Sequence, residues 1–386
     1  DALNRRQFGA GLLATAAGSA LLPGQLAAQA YNGPNVILVR FGGGVRRRET
    51  IDPEHTFAPY LRHELAKRGT LFTDMRISAQ EDIVTSHAQG TLYLLTGRYD
   101  RYKDIENKFL SERFEPMAPT LFEYLRKAYN VPSYQTLIVN GEDRANEDFL
   151  TFSTTHSFGV NFRSSVLSLH WYKTYAMRQK LGQGDLAADV RKTLQDELAK
   201  LEARNYRGDA VAQQVKELEA FWADWRAHYG DTGLVNARGD RLLTQLTVRA
   251  LKTLRPRLMM VNYQDPDYVH WGNMSHYTRA ISIIDEGLRQ LVDTVEADPF
   301  YRGNTIFVIV PDCGRDSNPL MQVACQHHFN SKSAHEIWAL MMGPGIQRGA
   351  VVDKPVNQIG VAATIGKFMG FRAELAEGEV LEDAFI

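Results

Sequence analysis

Acidic, imidazole and thiol side chains that could bind a metal ion cluster at three places in the second half of the chain. They are Asp265, Asp267 and His270, then Asp312 with Cys313, and finally His327, His328 and His335. Carboxylates, imidazoles and thiolates are the usual ligands of zinc and of similar divalent ions. If the fold brings the three segments together, the sequence predicts a metal site, either functional or vestigial.

Five apolar runs rich in β-branched residues predict the buried strands that would position these side chains. They are residues 35–41, 135–139, 258–263, 305–310 and 337–342. Their hydrophobicity is continuous rather than alternating, which indicates strands covered on both faces. Helical patterns separate them at residues 57–68, 119–129, 277–298 and 361–369. This alternation predicts an α/β fold in which a mostly parallel sheet is sandwiched between helices.

Ligands of open α/β sheets bind beyond the carboxyl ends of the strands, and two of the candidate metal segments follow predicted strands. Three glycines, at 42–44, follow the first strand. The backbone N–H of Gly43 could bind an oxyanion, although a tight turn is the simpler interpretation. Arg46 begins a run of three arginines and is a candidate anion clamp; the alternative is a solvated loop.

The first thirty residues have the three parts of an export signal in order. An adjacent pair, Arg5 and Arg6, precedes an apolar stretch at 9–22, and Ala28-Gln29-Ala30 follows. This order predicts a twin-arginine signal, and therefore a periplasmic or cell-envelope location. The segment is either cleaved or retained as an anchor, which would attach the protein to the inner membrane.

We predict that residues 31–386 form a single domain, because no Pro-rich or Ser-rich linker divides them. Between residues 172 and 254 the pattern becomes helical, and residues 186–201 carry a charged face. We expect a helical insertion here. It is either a solvated cap over the sheet or a surface presented to an envelope protein partner.

The composition excludes several classes of protein. Among 386 residues, 44 Lys and Arg balance 45 Asp and Glu, for a net charge of −1, so the basic face of a nucleic-acid binder is not expected. A hydrophobic share of 44% with 23% charged residues is typical of a globular protein. The two cysteines, Cys313 and Cys325, are too few for a disulfide scaffold. They could pair with each other, which ligation of a metal by Cys313 would exclude.

Short motifs occur in one order along nearly the whole body. They are NVILV at 35–39, VTSH at 84–87, LTGRY at 95–99, the segment from Asp265 to His270, Pro311-Asp312, His328, and Gly-Pro-Gly at 343–345. In this order they resemble the alkaline phosphatase superfamily, which includes sulfatases, nucleotide phosphodiesterases and cofactor-independent phosphoglycerate mutases.

The resemblance implies two metal ions, typically zinc, beside a Ser, Thr or formylglycine that attacks phosphorus or sulfur. It implies Asp265 or Asp267, with His270 and His328, as ligands of one ion. For the other ion it implies Asp312, with Cys313 in place of the family's His.

Two positions depart from the family pattern. The first strand should end in a metal-binding Asp, but Gly42 stands there, so an ion at that position would lack compensating charge. The nucleophile position matches His87, and Thr85 or Ser86 fills it only if the loop is shifted by one or two residues. His87 could be a covalent nucleophile, but we favour a ligand of a lone metal or a hydrogen-bonded histidine filling the pocket.

The centre is therefore expected to hold one zinc or other divalent ion, or none. We expect an exported relative of this family that serves as a non-catalytic or weakened accessory component of an envelope assembly. The alternative is a metal-dependent phosphoester or sulfate-ester hydrolase that uses a rearranged site.

Overall fold

The computed structural model describes residues 29–80, 83–99, 103–104, 114–141, 149–203, 215–230, 239–270, 273–317 and 331–386. The predicted export signal up to residue 28 lies outside the described residues, as do His327, His328 and Cys325. Within the described ranges, no helix combines the length and the apolar character needed to cross a bilayer.

Nine strands form one mixed, mostly parallel sheet, which confirms the predicted fold class. They are β1 (Asn35–Phe41), β2 (Gly69–Arg76), β3 (Thr136–Val139), β4 (Ser165–Leu167), β5 (Leu258–Tyr263), β6 (Thr305–Val310), β7 (Glu336–Met342), β8 (Ala350–Val352) and β9 (Val356–Asn357). Their order is β8-β2-β7-β6-β1-β5-β3-β4, and β9 pairs with β2. Every residue of β1, β5 and β6 is buried, which agrees with their continuous hydrophobic runs.

Helices flank the sheet. Those in the described ranges are α1 (Arg47–Thr50), α2 (His87–Thr96), α3 (Leu121–Ala128), α4 (Leu169–Leu181), α5 (Ala188–Ala203), α6 (Lys216–Tyr229), α7 (Asp240–Thr253), α8 (Met274–Ala297) and α9 (Gly360–Met369). The long helix α8 buries residues at helical spacing, such as Tyr277, Ile281, Ile284 and Leu288, and so packs one stripe against the core. Helices α4 to α7 all lie between β4 and β5, in the region of the expected helical insertion.

Four strands and one helical segment differ from the sequence-based expectations. Strands β4, β8 and β9 have three residues or fewer, and in β2 polar residues and a bulge between Phe72 and Met75 interrupt the hydrophobic pattern. The predicted helix at 57–68 is a π-helical turn, Tyr60–Glu64, followed by a 3₁₀ turn, Leu65–Arg68. Asp285 of α8 accepts hydrogen bonds from the backbone N–H groups of Tyr60 and Leu61, which ties this irregular segment to the core.

The sheet brings the candidate metal segments to one edge. Strand β1 is parallel to both β5 and β6, so the carboxyl ends of all three strands meet there. Strand β7 runs antiparallel to β6, so the residues that precede β7 reach the same edge. The topology therefore places residues 42–44, 264–270, 311–316 and 331–335 around one cleft.

Candidate functional site

His87 lies at the centre of this cleft and bridges two carboxylates. Its Nδ1 is 2.7 Å from Oδ2 of Asp312, and its Nε2 is 2.6 Å from Oδ1 of Asp267. It is the first residue of α2, and Ser86 caps that helix by accepting a hydrogen bond from the Gln89 N–H. The side chains of His87 and Asp267 are 19% and 21% exposed, so solvent reaches the cleft.

Gly90 allows α2 to approach the site. A Cβ atom on Gly90 would lie 2.1 Å from the backbone oxygen of Asp312, closer than real contacts allow. One turn earlier, the same approach places His87 against the Asp312 carboxylate. The absence of a side chain at Gly90 therefore lets α2 lie close enough to Asp312 for the His87 imidazole to reach its carboxylate.

Of the two carboxylates that the sequence left as alternatives, Asp267 faces the centre. Its Oδ1 is also 3.0 Å from Nε2 of His270, so it contacts both histidines. Asp265 points elsewhere: its Oδ2 accepts from the backbone N–H of Asp240 at 3.1 Å, and Asp240 accepts from the N–H of Asp265 at 2.8 Å. These reciprocal bonds fix the start of α7 to the end of β5.

Asp312 and Cys313 are completely buried at the end of β6. Oδ1 of Asp312 accepts from the backbone N–H groups of Cys313 at 2.8 Å and of Gly44 at 3.4 Å. Burial, and then the charge of Asp312, raise the pKa of the Cys313 thiol to about 11. The thiol is therefore protonated at neutral pH unless a metal ion binds it and displaces the proton.

Two positive charges balance the two carboxylates. Burial disfavours the charged form of His87, but Asp267 and Asp312 outweigh it and hold the pKa of His87 well above its ordinary value. The second cation is Arg40 of β1, whose Nη1 lies 3.8 Å from Oδ2 of Asp312. Around His87 the cleft thus pairs an imidazolium and the Arg40 guanidinium with the carboxylates of Asp267 and Asp312.

A fully buried arginine, Arg315, fastens the loops that surround the cleft. It donates to the carbonyl oxygens of Gly43 and Gly44, each at 2.7 Å, of Pro266 at 2.6 Å, and of Val269. It therefore joins the loop after β1 to the loop after β5. The role of Arg315 could not be predicted from the sequence, because nothing in its local pattern indicates which carbonyl groups would surround it.

Other residues proposed from the sequence lie near the cleft in different roles. Thr85 is buried before α2, and Ser86 caps that helix. The carbonyl of Gly43 faces Arg315, and its positive φ of 89° is one that only glycine adopts readily. Arg46 forms a bidentate pair with Glu49, with both distances 2.7 Å. An anion-binding role for Gly43 and Arg46 stays a prediction.

The histidines ahead of β7 are only partly described. His328, the last ligand implied by the resemblance, and its neighbour His327 lie outside the described residues. His335 is buried and its Nδ1 is 3.2 Å from the carbonyl oxygen of Ile77, within hydrogen-bonding distance. The metal-ligand role of His328 stays a prediction.

Comparison with known proteins identifies the fold through structure rather than sequence. No family model matches the chain, and no curated protein matches it in sequence. Among solved structures, a protein in the alkaline phosphatase superfamily from Vibrio parahaemolyticus superposes with a TM-score of 0.55 at 15% identity, over 93% of this chain and 72% of that one. The alkaline phosphatase PafA gives a TM-score of 0.56 at 10% identity, over 93% of this chain and 100% of that one. The chain has the alkaline phosphatase fold.

Members with different named activities share this alkaline phosphatase fold. Murine ectonucleotide pyrophosphatase/phosphodiesterase 5 matches with a TM-score of 0.52 at 10% identity, over 91% of this chain and 100% of that one. A 2-O GAG sulfatase, BT1596, matches with a TM-score of 0.51 at 13% identity, over 91% of this chain and 74% of that one. Such likeness establishes the fold and leaves the activity to be argued from the site.

One of the two metal positions implied by the alkaline phosphatase fold suits a divalent ion. Oδ1 of Asp267 and Nε2 of His270 lie 3.0 Å apart on partly exposed side chains, so they could share an ion, with His328 as the implied third ligand. An ion held there would act as a Lewis acid on a substrate oxygen.

The other metal position suits an ion poorly. His87, Asp312 and Cys313 offer donor atoms within 4.8 Å of one another. However, Gly42 supplies no carboxylate, and the Asp312 carboxylate lies between the His87 imidazole and the Arg40 guanidinium. The donor set is thus short of negative charge for a second ion.

Proposed function

We propose that this chain is an exported protein of alkaline phosphatase fold whose centre does not support two-metal ester hydrolysis, and that it serves as an accessory component of an envelope assembly. One observation carries the first part: His87 occupies the first position of α2 and hydrogen-bonds Asp267 and Asp312 at once. The family mechanism requires a nucleophile at this position and free carboxylate lone pairs around it.

The bridging imidazolium is unsuited to nucleophilic attack. Both of its nitrogen atoms carry protons and both donate to carboxylates, so neither has a lone pair to offer phosphorus or sulfur. Of the neighbouring hydroxyl groups, Ser86 caps α2 by accepting from the Gln89 N–H, and Thr85 is buried. Loss of an activated nucleophile and of one metal ion removes several kcal/mol of transition-state stabilisation.

A rearranged metal-dependent hydrolase of phosphate or sulfate esters is the competing function. The partly exposed pair of Asp267 and His270 favours it, because a single ion could be held there. In that case His87 would act beside the ion.

Metal content and turnover together distinguish the two functions. Purified protein is analysed by inductively coupled plasma mass spectrometry, then assayed with an aryl phosphate and an aryl sulfate, with and without chelator. We expect at most one ion per chain and no turnover that depends on His87. The variant His87→Ala is compared with His63→Ala, an exposed histidine on the π-helical turn. Turnover that disappears on chelation and in His87→Ala, but persists in His63→Ala, would establish the hydrolase instead.

The accessory role is proposed to use the helical insertion, the N-terminal segment, or both. In its support, α5 has no buried residue, although Leu194 and Leu201 lie along one side of it. These two leucines and Met177 of α4 line a groove of about 660 Å³, and Lys180 and Lys200 border it. An apolar floor with a basic border suits an acidic amphipathic segment of a partner.

Affinity capture from solubilised envelopes tests the accessory role. The wild type is compared with Leu194→Glu, which places a negative charge in the groove, and with Lys192→Glu, a larger charge change at an exposed position of α5. We expect a partner that is retained by Lys192→Glu and lost with Leu194→Glu. A monodisperse wild-type protein that captures nothing specifically would contradict the role.

A further inference from the structure

Arg40 is a charged residue near the carboxyl end of the central strand β1. Strand β1 is flanked by β5 and β6, and all seven of its residues are buried, with Arg40 only 4% exposed. A buried guanidinium is costly unless it is paired and hydrogen-bonded. Its contacts therefore indicate what it does.

The guanidinium occupies the space between residue 42 and Asp312. Side chains two residues apart on a strand point to the same face, so Arg40 shares a face with position 42. A Cβ atom on Gly42 would lie 2.9 Å from Nε and 3.2 Å from Cζ of Arg40, and Nη1 of Arg40 is 3.8 Å from Oδ2 of Asp312. By the resemblance, position 42 and Asp312 are where the family carries the carboxylates that hold its second ion.

The guanidinium is fixed in that place by neutral acceptors. Nη1 donates to Oγ1 of Thr91 at 2.8 Å, and Nη2 donates to Oε1 of Gln264 at 3.2 Å and to the carbonyl oxygen of Tyr263 at 3.4 Å. The Thr91 hydroxyl in turn donates to the carbonyl oxygen of His87. Arg40 is thus anchored to α2 and to the end of β5, and it keeps its positive charge, as guanidinium groups do in proteins.

The backbone also leaves no room for a carboxylate side chain at position 42. A Cβ atom on Gly42 would lie 2.3 Å from the carbonyl oxygen of Tyr263, which itself accepts a hydrogen bond from the Gly42 N–H at 3.1 Å. A side chain at position 42 would have to move β1 away from β5. The pairing of β1 with β5 therefore excludes a side chain, and with it a carboxylate, at position 42.

We propose that the Arg40 guanidinium takes the place of the second metal ion and closes this half of the centre to divalent cations. The proposal deepens the proposed function, since it gives a physical reason for the missing ion. A permanent cation neutralises the buried carboxylate of Asp312, and a divalent ion would have to displace it or bind beside it. Removing the guanidinium should then open a site made of Asp312, His87 and Cys313.

Zinc binding to the Arg40→Gln variant tests the proposal. Zn²⁺ is titrated calorimetrically into the metal-free full chain, and Co²⁺ is used in parallel because a thiolate ligand gives a charge-transfer band. We expect Arg40→Gln to bind one equivalent more than the wild type and to show that band through Cys313. Arg40→Lys, which keeps the charge, should bind as the wild type does. An Arg40→Gln variant with unchanged stoichiometry would overturn the proposal.

A second variant tests the proposal without touching Arg40. Cys313→Ser alters the same half of the centre, and in the wild-type background it should leave zinc stoichiometry and affinity unchanged. A loss of one equivalent would show that the wild type already binds an ion there, and would overturn the proposal. Neither zinc measurement depends on turnover. The proposed function can therefore be contradicted while the role of Arg40 is confirmed, and the role of Arg40 can be contradicted while the proposed function is confirmed.

Discussion

Asp285 offers a quantitative test of how burial controls stability in this fold. Its carboxylate lies on α8 and accepts from the N–H groups of Tyr60, at 2.9 Å, and of Leu61, at 2.8 Å. Burial is the largest influence and raises its pKa from 3.8 to about 6, although the two hydrogen bonds oppose the shift. At neutral pH the group is therefore a partly desolvated anion.

The sign of the pH dependence follows from proton binding. Between the unfolded and folded pKa values the folded state binds more protons, so this group makes the protein more stable as the pH falls through about 6. With these two pKa values, lowering the pH from 7.5 to 5 adds about 1.4 kcal/mol to the free energy of unfolding. Below the unfolded pKa the gain levels off at about 3 kcal/mol.

Urea denaturation of Asp285→Asn at both pH values measures this contribution. The amide cannot ionise, and it places its NH₂ group toward one of the two backbone donors, which costs about 1 to 2 kcal/mol at either pH. We expect the stability of the variant relative to wild type to be lower at pH 5 than at pH 7.5 by about 1.4 kcal/mol, because only the wild type gains from protonation of the carboxylate.

A matched control separates this group from general charge effects. Asp293→Asn removes the same charge from an exposed position of α8 and should change the free energy of unfolding equally at both pH values. The reasoning is refuted if the difference between wild type and Asp285→Asn is the same at pH 5 and pH 7.5.

Two further substitutions test how the cleft is held together. Arg315→Met leaves four backbone carbonyl groups without their buried donor, so we expect the free energy of unfolding to fall by about 3 to 5 kcal/mol in urea denaturation, and Arg315→Lys to recover part of it. A loss below about 1 kcal/mol for Arg315→Met would show that the loops do not depend on it. Gly90→Ala places a Cβ atom 2.1 Å from the Asp312 carbonyl oxygen, and we expect this overpacking, at about 1 to 3 kcal/mol, to outweigh the gain of about 1 kcal/mol in helix propensity. Gly184→Ala, which has open space around it, is the control and should be near neutral in thermal denaturation; equal melting temperatures for the two variants would contradict the close approach of α2.

The sequence by itself determined the scaffold and the edge at which chemistry could occur. Short, continuous β-branched runs favour strands covered on both faces, and the helical patterns between them favoured parallel crossovers. Because the carboxyl ends of such strands meet, the segments with Asp267, His270 and Asp312 could be assigned to one cleft. The place of His87 in that cleft was available only through the resemblance, which covers the whole body but rests on short motifs.

Only the tertiary structure decided which side chains meet. Asp265 and Asp267 have the same chemistry and differ by two positions, yet one is used at the start of α7 and the other contacts His87. Arg46 looked available in the sequence, but Glu49 forms a bidentate pair with it. These outcomes depend on the direction of each side chain within a turn, which local patterns do not specify.

Arg40 shows most clearly what the sequence indicates and what only the tertiary structure determines. A lone arginine inside the run NVILVRF signals that a buried charge needs a partner, and the sequence alone carries that much. The identity of the partner depends on the pairing of β1 with β5 and β6, which brings Asp312 to within 3.8 Å of the guanidinium. Electrostatic balance is a property of groups close in space, so it becomes readable only when segments hundreds of residues apart have been folded together.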